Sequence, residues 1–154
     1  MMAVSTKARS QVLQYASIYE ARLHHVLFEI SRHNPRVQEI GKYISLRAYD
    51  VPPSKFMSFE HDDRQIVTAY WADGKADISK IRFDDKVQAA VDLGMINESL
   101  GYDLKEIYEA RNSIHIHAEL KKKLKFDTDI GRLAYRRMQP FCDQLQRYVT
   151  SHAL

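Results

Sequence analysis

The sequence predicts a mainly α-helical chain: an antiparallel up-and-down bundle of about four main helices, with an irregular or small β-hairpin insertion near residues 36–81. Three observations predict it. Apolar residues recur at helical spacing in four stretches. The turn-forming pairs Asn34-Pro35, Pro52-Pro53 and Asp73-Gly74 fall outside those stretches. β-branched and aromatic residues concentrate in the middle, at Phe56–Phe59 and Gln65–Trp71. A length of 154 residues suits a single helical domain over 1–154.

The first helix is expected from about Thr6 to Arg32. Val12, Leu13, Ala16, Tyr19, Leu23, Val26, Leu27 and Ile30 form its apolar stripe, and Asn34-Pro35 ends it. His24 and His25 lie inside it. Adjacent imidazoles diverge by about 100° on a helix, so they make a poor metal pair and read as surface or interface residues. Val37 to Ala48 reads as a short helix, Pro52-Pro53 as a loop, and Asp73-Gly74 as a turn. Whether the aromatic segments between them pair as a hairpin or form helical turns stays open. A second main helix begins near Phe83 with Asp84 as N-cap, and carries Val87, Ala90, Val91 and Met95 on one face. Gly94 and Asn97 weaken its end. A third is expected from about Tyr102 to Leu120. The last runs from Asp127 or Thr128 to about Thr150, with Ile130, Leu133, Ala134, Met138, Phe141, Leu145, Tyr148 and Val149 inward. Pro140 removes one hydrogen bond there and is expected to kink it.

Composition sets the outer bounds. Hydrophobic residues make up 45% and charged residues 28%, enough for a core and a charged surface. The formal charge of +3 permits nucleic-acid binding without requiring it. The single cysteine, Cys142, excludes an internal disulfide, suits a reducing compartment and reads as a partly buried thiol. No stretch reaches the ~20 apolar residues of a membrane helix, and Met1–Ser10 has no apolar signal core. A cytoplasmic chain without membrane partners is the expectation.

The densest chemistry lies at Arg111-Asn112-Ser113-Ile114-His115-Ile116-His117. A guanidinium holds phosphate and an imidazole moves protons near neutral pH. Projected at ~100° per residue, Leu104, Ile107, Tyr108, Ile114 and Ala118 share an apolar face, with Arg111 and His115 in its middle and His117 elsewhere. An unpaired guanidinium buried in a core costs several kcal/mol. Arg111 therefore needs a partner, with Glu20 a candidate, or its face is not all core. The plain alternative is a structural Arg111 paired with a carboxylate and a hydrogen-bonded core histidine.

This segment resembles the motif of the HEPN superfamily (higher eukaryotes and prokaryotes nucleotide-binding domains), an Arg, usually a polar residue, then a His after four to six intervening residues. Arg111-Asn112 is followed by His117 after five. Ile81-Arg82-Phe83, Lys86-Val87 and Asp92–Ile96 are similar to the segment that precedes the motif in bacterial members, and Tyr15–Leu23 to their opening helix. The resemblance covers residues 8–32 and 81–150 and leaves the middle out. It implies a helical bundle that dimerises through its motif helices, and in many members a metal-independent endoribonuclease of a toxin–antitoxin or antiphage system. Others are non-catalytic RNA-binding or protein-interaction domains. The chain departs from the pattern in carrying a second histidine, His115, after only three residues. The tyrosine that some toxin members carry two residues beyond the His is Glu119 here.

The implied chemistry is attack of the RNA 2′-OH on the adjacent phosphate at a site composed by two protomers. His117 and His115 are the candidate proton carriers, Arg111 the charge stabiliser, and Asn112 a phosphate or arginine ligand. Lys121, Lys122, Lys123 and Lys125 are candidates for collecting RNA, or else form a solvated helix end. Arg132, Arg136 and Arg137 add charge. His115 and His117 diverge on a helix, so no metal and no cofactor are expected. The expected partners are RNA, a second copy of the chain and an antitoxin protein.

Overall fold

The computed structural model describes residues 2–48, 59–61, 64–66, 69–114 and 128–152. It is a bundle of four main helices, α1 (Met2–His25), α3 (Phe83–Asp92), α4 (Glu98–Ser113) and α5 (Thr128–Ser151). A short helix α2 (Pro35–Ile40) and strands β1 (Lys42–Ala48), β2 (Phe59–His61), β3 (Arg64–Ile66) and β4 (Ala69–Lys75) lie between α1 and α3.

Helix α1 forms where the stripe places it. Val12, Ala16, Tyr19, Leu23 and Leu27 are almost wholly buried, while Leu13 is on the exposed flank. The helix runs on as a π turn over Val26–Ile30, closed by Ser31 N–H donating to the Val26 carbonyl at 3.0 Å. The wider turn lets three successive residues, Val26, Leu27 and Phe28, face the core. Asn34 then caps α2, its Oδ1 accepting from Arg36 N–H at 3.0 Å, with Pro35 in the first turn.

The reading of Val37 to Ala48 as helix is corrected here. The helix stops at Ile40, and Lys42 to Ala48 pair antiparallel with Ala69 to Lys75. Gly41 breaks the helix, and the Tyr43-Ile44 pair that follows favours an extended chain. Asp73-Gly74 is not a turn but part of β4. Gly74 sits opposite Tyr43, and a Cβ there would lie 2.7 Å from the tyrosine ring. β2 and β3 pair antiparallel in a second small sheet, with Phe59 opposite Ile66.

Asp84 does not cap α3. Arg82 holds the N-cap position, so Asp84 and Asp85 lie in the first turn, where carboxylates favour the helix dipole. The end of α3 is a Schellman motif. Gly94, at φ +70°, donates to Val91, and Met95 N–H donates to the Ala90 carbonyl at 2.9 Å. Met95 is thus buried beyond the helix rather than on its face. Asn97 starts the next helix instead of weakening the last, its Oδ1 accepting from Leu100 N–H at 2.8 Å. Helix α4 spans Glu98–Ser113, beginning earlier than the expected Tyr102, and residues 115–120 of that expectation lie outside the described residues.

Contacts set the directions. Lys105 reaches Gln88 and Gly101 meets Val91, so α3 and α4 are antiparallel. Arg137 pairs with Asp103 and Gln144 with Asn97, so α4 and α5 are antiparallel too. Helix α1 lies against α4 and, in the same sense as α5, packs Tyr15 on Tyr135 and Tyr19 on Phe141. The Tyr19 hydroxyl donates to the Ala134 carbonyl at 2.5 Å, and burial pushes its pKa up. Arg137 Nε and Asp103 Oδ2, 2.5 Å apart, are each other's partner in the α4–α5 seam. Cys142, expected to be partly buried, is exposed on α5. No helix among the described residues is long and apolar enough to cross a membrane.

Candidate functional site

Three helices converge on one carboxylate. Glu20, toward the C-terminal end of α1, is 30% exposed at its side chain. Lys86 of α3 places Nζ 3.8 Å from its Oε1, and Arg111 of α4 places Nη1 3.9 Å from its Oε2. The Tyr108 hydroxyl donates to both oxygens at 3.3 Å. Two cations therefore face one anion.

The sequence explains why these groups meet. On α3, Lys86 falls three residues after Phe83 and next to Val87, inside the apolar stripe, so the bundle buries it to 2% exposure. On α4, Tyr108 and Arg111 are three apart and share a face. Tyr108 stacks on Phe83 with ring centroids 4.2 Å apart and planes inclined by 19°. The Arg111 guanidinium lies 4.8 Å from the Tyr108 ring centroid, a cation–π contact. Its Nη1 also approaches Asn112 Oδ1 at 3.5 Å, a marginal hydrogen bond. Arg111 is held by charge and ring contact while keeping 29% of its side chain exposed.

Burial first, then the Glu20 charge, raises the pKa of Tyr108, with Arg111 acting in the opposite sense. His24, one turn beyond Glu20 on α1, packs its ring on Phe28 at 4.8 Å. Burial, then the charge of Lys86, lowers its pKa. His24 thus belongs to the edge of this cluster rather than to a free surface, whereas His25 is exposed.

The cluster borders a cleft of about 740 Å³. One wall is the α4 face carrying Lys105, Tyr108, Glu109 and Asn112, and the other runs from Ser79 to Asp84, with Glu20 contributing from α1. Its cations are partly neutralised, since Lys80 lies 3.8 Å from Asp77 and Arg82 3.5 Å from Asp84.

Of the residues singled out from sequence, Arg111 and Asn112 lie together in the last turn of α4, and Glu20 is the partner of Arg111. His115, His117, Lys121, Lys122, Lys123 and Lys125 lie outside the described residues. Arg132, Arg136 and Arg137 are apart from this site on α5, where Arg137 serves the Asp103 pair and Arg132 pairs with Asp129. Lys86 and Tyr108 were not read as site residues. The signal for Lys86 was a lysine inside an apolar stripe. Among the described residues no group of three or more His, Cys, Asp or Glu side chains is arranged to hold a metal ion. No protein-family model, curated protein or solved structure matches the chain.

Proposed function

We propose that the chain is a metal-independent endoribonuclease of the HEPN kind, acting as a cytoplasmic toxin or antiphage effector at a site composed by two copies of the chain. The observation that carries the reading is Arg111. It is fixed at the end of α4 by Glu20 and Tyr108, keeps exposed surface, and adjoins Asn112 on the cleft wall. His115 and His117 follow it in sequence within six residues.

In the proposed reaction the RNA 2′-oxygen attacks the adjacent phosphorus as a histidine takes its proton. The bond from phosphorus to O5′ breaks, and a second histidine protonates that oxygen. Arg111 stabilises the charge gathered on the non-bridging oxygens. The products are a 2′,3′-cyclic phosphate and a 5′-hydroxyl. The lysines at 121–123 and 125 gather substrate, and an antitoxin protein is the regulating partner.

The test is cleavage of total RNA in chelator by the wild type and by Arg111→Ala, His115→Ala and His117→Ala. Loss of a charge-stabilising donor costs about 10²–10³ in rate. Cleavage that survives Arg111→Ala, or that requires Mg²⁺, refutes the proposal. The second reading is a non-catalytic domain that binds RNA or a partner protein. The Arg111–Glu20 ion pair favours it, because a purely structural arginine makes the same contact. Under that reading the wild type cleaves nothing, and Arg111→Ala lowers only the melting temperature.

A further inference from the structure

The β1–β4 ribbon carries chemistry that the bundle does not use. Its two faces follow from the register. Lys42 with Lys75, Ile44 with Asp73 and Leu46 with Trp71 point to one side, and Tyr43 with Gly74 and Arg47 with Tyr70 to the other. Trp71 is 71% exposed, Ile44 67%, Leu46 60%, Tyr43 47% and Tyr70 42%. Rings therefore project from both faces: on one Arg47 lies opposite Tyr70, and on the other the Lys42–Lys75 pair lies about 13 Å along the strands from Trp71, with the Ile44–Asp73 pair between them.

Charge identifies the occupant. The two strands hold Lys42, Arg47 and Lys75 against Asp73 alone, a balance of three positive to one negative. None of the three cations has a carboxylate at ion-pair distance among the described residues. Lys42 and Lys75 are directly opposite each other, and like charges so placed destabilise a strand pair. An anion lying across both lysines removes that repulsion. The centres of protein–protein interfaces are depleted in lysine, whereas exposed rings interleaved with cations suit stacked bases and their phosphates.

We infer that the ribbon is a binding arm for single-stranded RNA, with Trp71 stacking on a base and the Lys42–Lys75 pair holding the backbone. The lysine pair is at the end of the ribbon nearer the cleft. Ser79 lines that cleft four residues after Lys75, a reach of at most about 14 Å. One strand can thus run from the cleft onto the ribbon. That the strand is RNA rests on the proposed nuclease reading; that the ribbon binds a single-stranded polyanion does not.

Trp71 is the only tryptophan in the chain, so its fluorescence reports this site alone. The experiment titrates Arg111→Ala protein, which leaves the RNA intact, with oligouridylate. Saturable quenching is expected. Lys42→Gln/Lys75→Gln should lower the slope of log affinity against log salt by about 1.4, at about 0.7 per phosphate. Trp71→Ala should weaken binding of a labelled oligouridylate, read by anisotropy, at least about fivefold. Far-UV circular dichroism of each variant confirms the fold. Quenching and the salt effect in a protein that proves to cleave nothing uphold the arm and sink the nuclease. Cleavage that depends on Arg111, without quenching or with quenching indifferent to both lysines, overturns the arm and spares the nuclease. A tryptophan signal that changes with protein concentration alone assigns the face to a second copy and also overturns the arm.

Discussion

Replacing Glu20 with glutamine keeps the shape of the central carboxylate and removes its charge. Lys86 is then left 3% exposed at its side chain with no anion at ion-pair distance among the described residues. At 3.8 Å and an effective dielectric constant of about 20, the lost attraction is about 4 kcal/mol. Glu20 is 30% exposed, so water screens part of that, and a net loss of about 2–3 kcal/mol is expected. For a chain of 154 residues this lowers the melting temperature by roughly 5–10 °C. Far-UV circular dichroism is the suitable probe, because Trp71 is 71% exposed on the ribbon and senses little of the core. A second substitution gives the reasoning its sharper check. Lys86→Met added to Glu20→Gln replaces the stranded ammonium with an apolar chain of similar length, and most of the loss should return. A Glu20→Gln variant as stable as wild type would refute the argument. So would a double variant whose loss equals the sum of the two singles.

Two further outcomes follow from the same packing. Gly101→Ala places a methyl 2.8 Å from the Val91 Cγ2 at the α3–α4 crossing, and should cost about 1–3 kcal/mol in urea unfolding. An unchanged midpoint would show that the crossing yields freely. His24 has a folded pKa below the ordinary 6.5, so the unfolded chain binds the extra proton first. Its contribution is complete above about pH 6.5 and is lost as pH falls through the lower folded value. Melting temperatures measured downward from pH 7.5 should therefore fall less steeply in His24→Gln than in wild type, and parallel curves would contradict this.

The helical part of the fold was legible because burial is periodic. Val12 through Leu27 and Ala134 through Tyr148 repeat at a spacing that only a helix puts on one side. The ribbon was not, because β1 and β4 pair residues far apart in sequence, such as Leu46 with Trp71, and no local pattern records the partner. The helix ends around Gly94 and Asn97 were misread for another reason. Both residues weaken a helix interior, yet here they stop one helix and start the next. At the candidate site, the partnership of Glu20 with Arg111 followed from the cost of burying a bare guanidinium. Lys86 escaped because lysine is read by habit as solvent-facing, although its position between Phe83 and Val87 already put it on the buried side.

The π turn at Val26–Ile30 holds one residue more than an α-helical turn of the same rise. Deleting a single residue there would restore a regular helix and leave everything downstream on nearly the same heading, because the extra residue is absorbed within the one widened turn. Helix α2 and the ribbon leave the bundle just beyond this point, so their heading around the α1 axis tolerates the loss of that residue, whereas the run of three core-facing side chains does not. The Arg36–Asp92 contact at 2.8 Å fastens the same heading from the α3 side. A related chain one residue shorter in this turn should keep that contact and the ribbon's heading, and should lose one of the three successive core-facing residues Val26, Leu27 and Phe28.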